Sequence, residues 1–521
     1  MRRTAGIAIL LITAGALALR LPDLCRRPMH TDESVQALKF RELWETGTWR
    51  YDPTEYHGPT LPYATLPAMV LSGGGSFASS TERTYRVVPA LFGALTVLLL
   101  LWLADGLGGT AAVAAAVFIA VFPATVFYSR YYIHETTFAF FSLATIAAGW
   151  RYSRTPRLGW AVAAGAFAGL MYCTKETSIA AWAAMLAGLA LTAAWGRFVV
   201  HDRSRLGTLP SAWHLAAAFA TACVLAVVLF SAFFTNSSGP LDSIRTFGPW
   251  THKAVTDTDH VHPWYWYFAI MLSGSAGKMC LGAVLVLCLA AAGLAAALRQ
   301  SRTKPGGTPA NVHLVRFLGI CTIALAGFYC VMPYKTPWCM LGFVHGILLL
   351  AGVGAAVVLD AVPGKLKIAA GLVLALGAAD IARHAWLVSF PRCTDPSNPY
   401  VYAHPSPDAV RLADEVKAIA SAWREGAATP VHVAAPREDY WPLPWYLRSL
   451  TRVGWWSREP AGPAAPIVVA AREFEPALGL KLKDTHLMVG IFEFRPGVFM
   501  DLYVQNDLWR AYLEHRRRPG E

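Results

Sequence analysis

The chain has 521 residues, of which 55% are hydrophobic and only 15% are charged, and its formal net charge is +12. A soluble domain carries about 25% charged residues, so this shortage, together with a mean hydropathy of +0.40, indicates that lipid surrounds most of the chain. The basic residues fall in short clusters between apolar runs instead of along one polar face, which argues against a nucleic-acid partner and for an integral membrane protein.

Apolar runs long enough to cross a bilayer, which takes about 20 residues, recur along the chain. The first run follows Arg2 and Arg3 and ends at Arg20 without a small-residue cleavage site, which favours a membrane anchor over a signal peptide. The predicted spans are residues 4–21, 86–104, 111–128, 135–150, 158–173, 178–195, 213–234, 279–298, 315–333, 338–359 and 367–388. The predicted fold class is an α-helical polytopic membrane protein with about eleven spans.

The distribution of Lys and Arg predicts the orientation, because these residues resist translocation. With the N-terminus inside, the cytoplasmic loops include 151–157, 196–207, 299–304 and 361–367, and these four are all basic. An odd number of spans then places the C-terminal part outside. We therefore expect a multi-pass protein of the inner (cytoplasmic) membrane, with long outer loops at 22–85 and 235–278 and an extracytoplasmic C-terminal domain.

Residues 33–46 of the first outer loop predict an amphipathic helix that lies on the membrane. Its apolar face would contain Val35, Leu38, Leu43 and Trp44.

From residue 395 onward the composition resembles that of a soluble protein. Helices are predicted at 406–424 and 441–450, and strands at VHVAA and PIVVAA. We thus expect two domains, a membrane domain of residues 1–390 and a small α/β domain of residues 391–521.

The motif His30-Thr31-Asp32-Glu33 follows the first span. Two adjacent acids just outside the membrane are suited to accept a proton from an attacking hydroxyl, or to help hold a divalent cation. Alternatively, Thr31 or Asp32 is the N-cap of a helix and the acids stabilise its first turn. The two roles are compatible.

Arg130, His134 and Glu135 lie between the third and fourth spans, where ionisable residues are costly and indicate function. Arg130 is suited to a phosphate, and His134 and Glu135 are suited to a metal ion or to orienting an acid. Tyr131 belongs to the aromatic run in the same turn. The alternative is a local ion pair between Arg130 and Glu135 that holds a tight turn.

Further polar residues fall on the same predicted face. Lys175 and Glu176 lie between the fifth and sixth spans, where they either contribute to a site or neutralise each other. Lys335, with Trp338 as an aromatic wall, is suited to a phosphate, or else it is an interfacial lysine that snorkels. His57 of the first loop adds a polar group. Because all these clusters share one face, we expect the chemistry there.

The nine cysteines show no metal-site spacing. Cys25 and Cys393 flank the membrane on the same predicted side, so a disulfide is one option, although packing or free thiols are favoured.

Together these motifs resemble the GT-C superfamily of membrane glycosyltransferases. The resemblance rests on HTDE at 30–33, ERTYRVVPALFG at 82–93, FYSRYYIHETTFAFF at 127–141 and the TKET turn. Within the superfamily the chain is most similar to prokaryotic relatives of the dolichyl-phosphate-mannose–protein mannosyltransferases. YHGP, YKTPW and WPLPWYLR resemble a branch linked to flippase activity and archaeal N-glycosylation. The resemblance covers about residues 1–390.

The resemblance implies a GT-C fold and transfer, outside the membrane, from a polyprenyl-phosphate-linked sugar to a glycan, lipid or protein acceptor. It implies that Asp32 is the catalytic base, with Glu33 beside it, and that Arg130 and Lys335 bind the lipid phosphate. We add Lys175 to the phosphate ligands. The residues expected to support the substrate site are His57, Tyr131, Glu176 and Trp338.

A metal ion is the one cofactor to consider. In some members of the superfamily, acids at the positions of His134 and Glu135 bind metal, and Asp32 would complete such a site for Mg²⁺ or Mn²⁺. Here His134 stands where an acid is expected, and the sequence requires no cofactor.

The alternative function is that of a lipid-linked-sugar flippase or transporter without covalent chemistry, which the number of spans supports. Transporters, however, place polar groups near the bilayer midplane and often show repeats with broken helices, whereas the centres of these spans are almost free of charge. The sequence therefore favours a transferase, and one carboxylate acting on the acceptor hydroxyl would give inversion.

Overall fold

The computed structural model describes residues 2–54, 57–73, 75–201, 210–256, 260–274, 277–299 and 310–517. Of two predicted cytoplasmic loops, the second half of 196–207 and all but the first residue of 299–304 lie outside the described residues.

The first part of the chain is helical. Its helices are α1 (Arg2–Arg20), α2 (Thr31–Thr46), α3 (Thr60–Leu71), α4 (Glu82–Leu98), α5 (Leu100–Leu107), α6 (Gly109–Val121), α7 (Pro123–Tyr128), α8 (His134–Arg154), α9 (Leu158–Tyr172), α10 (Ser178–Phe198), α11 (Ala212–Phe230), α12 (Gly239–Arg245), α13 (Phe247–Thr256), α14 (Trp266–Leu272), α15 (Leu281–Arg299), α16 (Val312–Val331), α17 (Leu341–Ala361) and α18 (Gly364–Ser389).

Each predicted span is helical over most of its length, although some are interrupted. The run 111–128 divides into α6 and α7 because Pro123 lacks an N–H and forces Phe122 into an extended conformation, with φ −66° and ψ 132°. Seven helices of the described residues are long and apolar enough to cross a membrane. The helical membrane fold is therefore confirmed, and the total of eleven spans stays a prediction.

Small residues on α17 allow close helix packing. A side chain at Gly354 would place its Cβ 1.9 Å from the carbonyl oxygen of Leu289 on α15. At Gly352 the Cβ would lie 2.4 Å from the carbonyl oxygen of Ala111 on α6. Backbones that approach this closely gain van der Waals contact, which is the main attraction between helices in lipid. Glycine at these positions thus places α17 at the centre of the bundle.

The C-terminal part has the predicted α/β character. Its elements are α19 (Asp408–Ser421), β1 (Val431–Ala434), α20 (Leu443–Tyr446), β2 (Val453–Trp456), β3 (Ile467–Ala471), α21 (Glu475–Leu482), β4 (His486–Arg495), β5 (Val498–Gln505) and α22 (Asn506–Arg517). The strand order is β2-β1-β3-β5-β4, with β1 parallel to β2 and β3, and β5 antiparallel to β3 and β4. The predicted helix at 441–450 was too long, since α20 has only four residues.

Helix α2 is confirmed, but its N-cap and its surroundings differ from the prediction. The N-cap is His30, whose Nδ1 accepts from the N–H of Asp32 at 3.1 Å, while the Glu33 carboxylate accepts from the N–H of His30 at 3.0 Å. This is a reciprocal capping arrangement. Of the predicted apolar face, Leu43 is buried against protein, and Val35, Leu38 and Trp44 are half-buried. The chain itself therefore covers part of this face, and its contact with the membrane stays a prediction.

The C-terminal domain docks on the first loop. Trp445 of α20 is fully buried and meets the rings of Phe77 and Tyr85 edge-on, at centroid distances of 5.7 and 5.3 Å. The N–H of Met29 donates to the hydroxyl of Tyr446 at 2.7 Å. The segment 398–405, which joins α18 to the domain, also passes beside the start of α2.

Candidate active site

We call the end of the helix bundle that carries residues 21–33, 129–133, 174–177 and 334–337 the loop face. The predicted site residues all lie at this end, in or beside these turns.

Glu33 is fully buried and has the most hydrogen bonds of the predicted acids. Its Oε1 accepts from Arg86 Nε at 2.7 Å and from the N–H of Tyr132 at 2.9 Å. Its Oε2 accepts from Arg86 Nη2 at 2.6 Å and from the N–H of His30 at 3.0 Å. A bidentate arginine with two backbone amides occupies the lone pairs of a carboxylate. The structure thus holds Glu33 as an anchor that joins the start of α2 to α4 and to the turn after α7.

A second arginine completes this anchor. Arg27 lies 3.4 Å from Glu33 Oε2 and donates to the carbonyl oxygen of Arg130 at 3.0 Å, and its guanidinium stacks 3.8 Å from the ring centroid of Tyr131. Burial would raise the pKa of Glu33, but Arg86 and Arg27 outweigh it and lower the pKa to about 2. Glu33 is therefore ionised at neutral pH and too weakly basic to accept a substrate proton.

Asp32 has the opposite environment. Its side chain is 47% exposed and lies at the N-terminus of α2, where the helix dipole favours the carboxylate. The neighbouring His30 is buried, and its Nε2 lies 3.1 Å from the carbonyl oxygen of Tyr402. Because Nδ1 of His30 accepts from the N–H of Asp32, Nε2 carries the proton and donates to Tyr402. These two hydrogen bonds fix the His30 ring next to the exposed carboxylate of Asp32.

Aromatic rings surround His30. Its ring centroid lies 5.6 Å from that of Tyr131, 5.4 Å from that of Trp338 and 5.2 Å from that of His404. The Tyr131 hydroxyl is hydrogen-bonded to Nε2 of His404, and burial lowers the pKa of His404 well below its ordinary value. Tyr131 and Trp338 thus lie around His30, two positions before Asp32, and His404 joins them from the segment after α18. Their role in binding substrate stays a prediction.

Arg130 is held by the loop that follows α1. Its Nη1 donates to the carbonyl oxygens of Arg20 and Pro22 at 2.8 and 2.7 Å, and its Nη2 donates to that of Asp23 at 3.2 Å. The guanidinium lies 4.3 Å from the ring centroid of Phe390. The alternative of an Arg130–Glu135 pair is wrong, because these carbonyl oxygens are the partners of Arg130.

Lys335 also donates to carbonyl oxygens, namely those of His262 at 2.9 Å and of Met332. The His262 ring stacks on Trp266 at 3.9 Å, and its Nε2 lies 3.3 Å from the Tyr402 hydroxyl. Among the described residues, neither Lys335 nor Arg130 has a carboxylate within ion-pair distance. Neither cation is therefore neutralised by an ion pair within the described residues, although burial lowers the pKa of both side chains.

Lys175 has a carboxylate partner. It forms a buried ion pair with Glu135, and this pair overcomes the effect of burial and raises the pKa of Lys175 above its ordinary value. The alternative in which Lys175 and Glu176 neutralise each other is wrong, because each pairs with a residue far away in sequence. Lys175 therefore already has a carboxylate partner, unlike Lys335 among the described residues.

Glu176 pairs with His57, whose Nδ1 lies 2.7 Å from Oε2, and it accepts from the Tyr51 hydroxyl at 3.3 Å. Although burial would raise the pKa of Glu176, His57 and its hydrogen bond lower it. Gly58 lets this loop approach closely, since a Cβ there would lie 2.1 Å from the carbonyl oxygen of Cys173. The predicted residues His57 and Glu176 thus form one cluster at the loop face.

The proposed metal ligands do not converge. His134 Nε2 lies 3.2 Å from the carbonyl oxygen of Gly58, and Glu135 is paired with Lys175. Within the described residues, the group with metal-ligand spacing contains neither of them and does not contain Asp32. These residues do not fit a shared cation, so no step below is assigned to one. Cys25 and Cys393 are both free thiols, as favoured.

We expect Lys175→Met to destabilise the protein by about 3–5 kcal/mol, because it leaves the buried Glu135 carboxylate without its partner. Unfolding in detergent, followed by circular dichroism, measures this change. The double variant Glu135→Gln/Lys175→Met should recover part of the loss, since it leaves no buried charge. Equal stability of the single variant and the wild type would contradict the assignment.

Several residues of the site had no role in the sequence analysis. Arg86 could have been noticed as a charge at the edge of a predicted apolar span, where an arginine needs a partner. His262, Tyr402 and His404 gave no comparable signal, because they lie in loops whose neighbours are set by the fold.

The loop face and the helices that carry it form a helical fold that solved structures share. Residues 69–238 match the family model of dolichyl-phosphate-mannose-protein mannosyltransferase. None of the curated proteins matches the chain. The resemblance stated from the motifs is confirmed by this match and by the fold.

Two solved structures illustrate the shared fold. ArnT from Cupriavidus metallidurans, bound to undecaprenyl phosphate, is 18% identical, with a TM-score of 0.64 over 96% of this chain and 98% of its own. The archaeal oligosaccharyltransferase AglB from Archaeoglobus fulgidus, in complex with an inhibitory peptide and a dolichol-phosphate, is 14% identical, with a TM-score of 0.57 over 97% and 76%.

Proposed function

We propose that this chain is a membrane glycosyltransferase that moves a sugar from a polyprenyl-phosphate-linked donor to an acceptor hydroxyl. The observation that carries the proposal is the difference in environment between the two adjacent acids. Glu33 is immobilised by arginines and main-chain amides, and Asp32 is left as a half-exposed carboxylate on the same rigid helix start. The family match and the fold support the class of reaction.

Asp32 acts as the base. Its carboxylate takes the proton of the acceptor hydroxyl while the acceptor oxygen forms a bond to the anomeric carbon. The bond from that carbon to the phosphate oxygen breaks, and the lipid phosphate leaves with the electron pair. This single displacement inverts the anomeric configuration, since it involves no covalent sugar–enzyme intermediate.

Lys335 and Arg130 stabilise the departing phosphate. Both are fixed by hydrogen bonds to carbonyl oxygens, so their charges are already in place when negative charge develops on the lipid phosphate. Because the donor lipid supplies the leaving group at the membrane surface, the reaction needs no nucleotide. The basic loops support an orientation in which the loop face and the C-terminal domain lie on the extracytoplasmic side of the inner membrane.

A transfer assay separates this function from lipid transport. Purified protein in vesicles would receive radiolabelled polyprenyl-phosphate mannose, with membranes from cells that lack the protein as the source of acceptor. Label should move to the acceptor fraction and polyprenyl phosphate should accumulate. If no donor of this class yields transfer but the labelled lipid crosses the vesicle bilayer, the flippase alternative replaces the proposal.

Lys335→Met is expected to lower kcat of transfer by about 100-fold, because it removes a preorganised charge from the leaving phosphate. The matched control is Lys365→Met at the exposed N-terminus of α18, which should transfer like the wild type. Equal rates for both variants would remove Lys335 from the phosphate site.

A further inference from the structure

Three side chains capable of binding metal converge where α15 begins and α18 approaches its end. Cys280 immediately precedes α15, and Asp380 and His384 are one turn apart on α18. One ligand atom of each lies within 4.8 Å of the others. This cluster lies on elements other than those of the Asp32 site and has no part in the proposed transfer.

The imidazole of His384 is oriented for ligation. Its Nδ1 lies 2.9 Å from the carbonyl oxygen of Asp380 and 3.2 Å from Asp380 Oδ1. Donation from Nδ1 to these oxygens leaves Nε2 as the atom with a free lone pair. A metal-binding histidine is commonly oriented in this way, with its other ring nitrogen bonded to a carbonyl. Glycine at position 274 keeps the space beside Nε2 open, because a Cβ there would lie 2.7 Å from that atom.

The carboxylate and the thiol meet at the same place. Asp380 Oδ2 lies 3.8 Å from Cys280 Sγ and accepts from the N–H of Gly282 at 2.9 Å. Capping of α15 by Asp380 explains one oxygen of this carboxylate, but it does not explain why a buried cysteine and an imidazole share the site. The Asp380 side chain is 31% exposed, which gives an ion a path from the surface.

We propose that Cys280, Asp380 and His384 bind one divalent transition-metal ion of the zinc class. Thiolate, imidazole and carboxylate together favour such an ion over Mg²⁺ or Ca²⁺, which prefer oxygen ligands alone. With metal–ligand bonds of about 2.0–2.3 Å, tetrahedral ligand atoms lie about 3.3–3.8 Å apart. The present spacing within 4.8 Å needs only a small contraction, and a water molecule would take the fourth position.

Such an ion would link two chain segments that lead to the loop face. One segment is α18, which continues into the residues that include Tyr402 and His404. The other segment is the end of α14, where the carbonyl oxygen of Leu272 accepts from the N–H of Cys280 at 2.8 Å. Helix α14 follows the loop that contains His262. The metal ion would therefore hold together the two chain segments that meet at Tyr402.

Cobalt(II) tests the site because a thiolate ligand gives a charge-transfer absorption that oxygen and nitrogen ligands do not. The protein, purified in detergent with any histidine tag removed, would be titrated with Co²⁺ after treatment with a chelator and a thiol reductant. We expect one Co²⁺ per chain with the thiolate band, and displacement of Co²⁺ by Zn²⁺.

Variants locate the site. Cys280→Ala should abolish the band and weaken binding by at least about 100-fold, while Asp380→Asn, which keeps an oxygen for Gly282, should weaken it by about 10–100-fold. Cys288→Ala, which removes an exposed cysteine of α15, should bind like the wild type. Absence of the thiolate band in the wild type, or unchanged binding in Cys280→Ala, would overturn the proposal. Measurements of helicity and gel filtration would show whether a variant has failed to fold. In that case the wild-type titration alone still tests whether the metal ion has a thiolate ligand.

Discussion

Replacing Asp32 with Asn is expected to lower kcat of sugar transfer by about 10²–10⁴-fold, the range that a general base contributes. The amide cannot take the acceptor proton, although it keeps the size of the side chain and its place at the helix start. The free energy of unfolding should change by less than about 1 kcal/mol, because Asp32 is half exposed and His30 is the residue that caps α2.

The measurement is single-turnover transfer at saturating donor, together with donor binding. Donor affinity should stay close to that of the wild type, since Asp32 acts on the acceptor. The matched control is Glu45→Gln, near the other end of α2, where the carboxylate pairs with Arg41 at the surface. Wild-type kcat in Asp32→Asn would remove Asp32 as the base.

Replacing the adjacent Glu33 with Gln is expected to act mainly on stability, with a loss of about 3–5 kcal/mol. The change leaves Arg86 and Arg27, both buried, without the carboxylate that compensates their charge. Activity should fall as well, because the start of α2 that positions Asp32 is no longer anchored. Chemical unfolding in detergent measures the stability, and Glu45→Gln at the exposed end of α2 is again the control.

The pH dependence gives a second test of this anchor. The pKa of Glu33 is lowered from 4.5 to about 2, so its ionised form favours the folded state. This contribution is complete above the pKa of the unfolded chain and is lost as the pH falls from about 5 towards 2. The wild type should lose stability in this window, and Glu33→Gln should lose less. Parallel curves for the two proteins would contradict the anchor role.

Local patterns were sufficient for much of this fold. Apolar runs predicted the spans, because a span depends on the hydrophobicity of its own residues. The polar HTDE motif predicted the start of helix α2, because capping depends on residues within one turn. Tyr131 and Trp338 were also correctly placed at the loop face, since aromatic residues that follow apolar helices gather at that end.

Partners far apart in sequence were not predictable in this way. Lys175 appeared to belong with Glu176, yet it pairs with Glu135. Asp32 and Glu33 appeared alike, yet Arg86, 53 positions away, distinguishes them. A charge that is excluded from water pairs with whichever opposite charge the helix packing places beside it, and sequence distance does not limit that choice.

The sequence by itself determined that this protein is a helical membrane protein, that its ionisable groups gather at one end of the helices, and which superfamily its motifs resemble. Those features follow from hydrophobicity and short-range pattern. Only the tertiary structure decided which acid is anchored and which is exposed, which cations have a carboxylate partner, and that His404 and Cys280 belong to clusters. Those properties depend on burial and on neighbours, which exist only after the helices have packed.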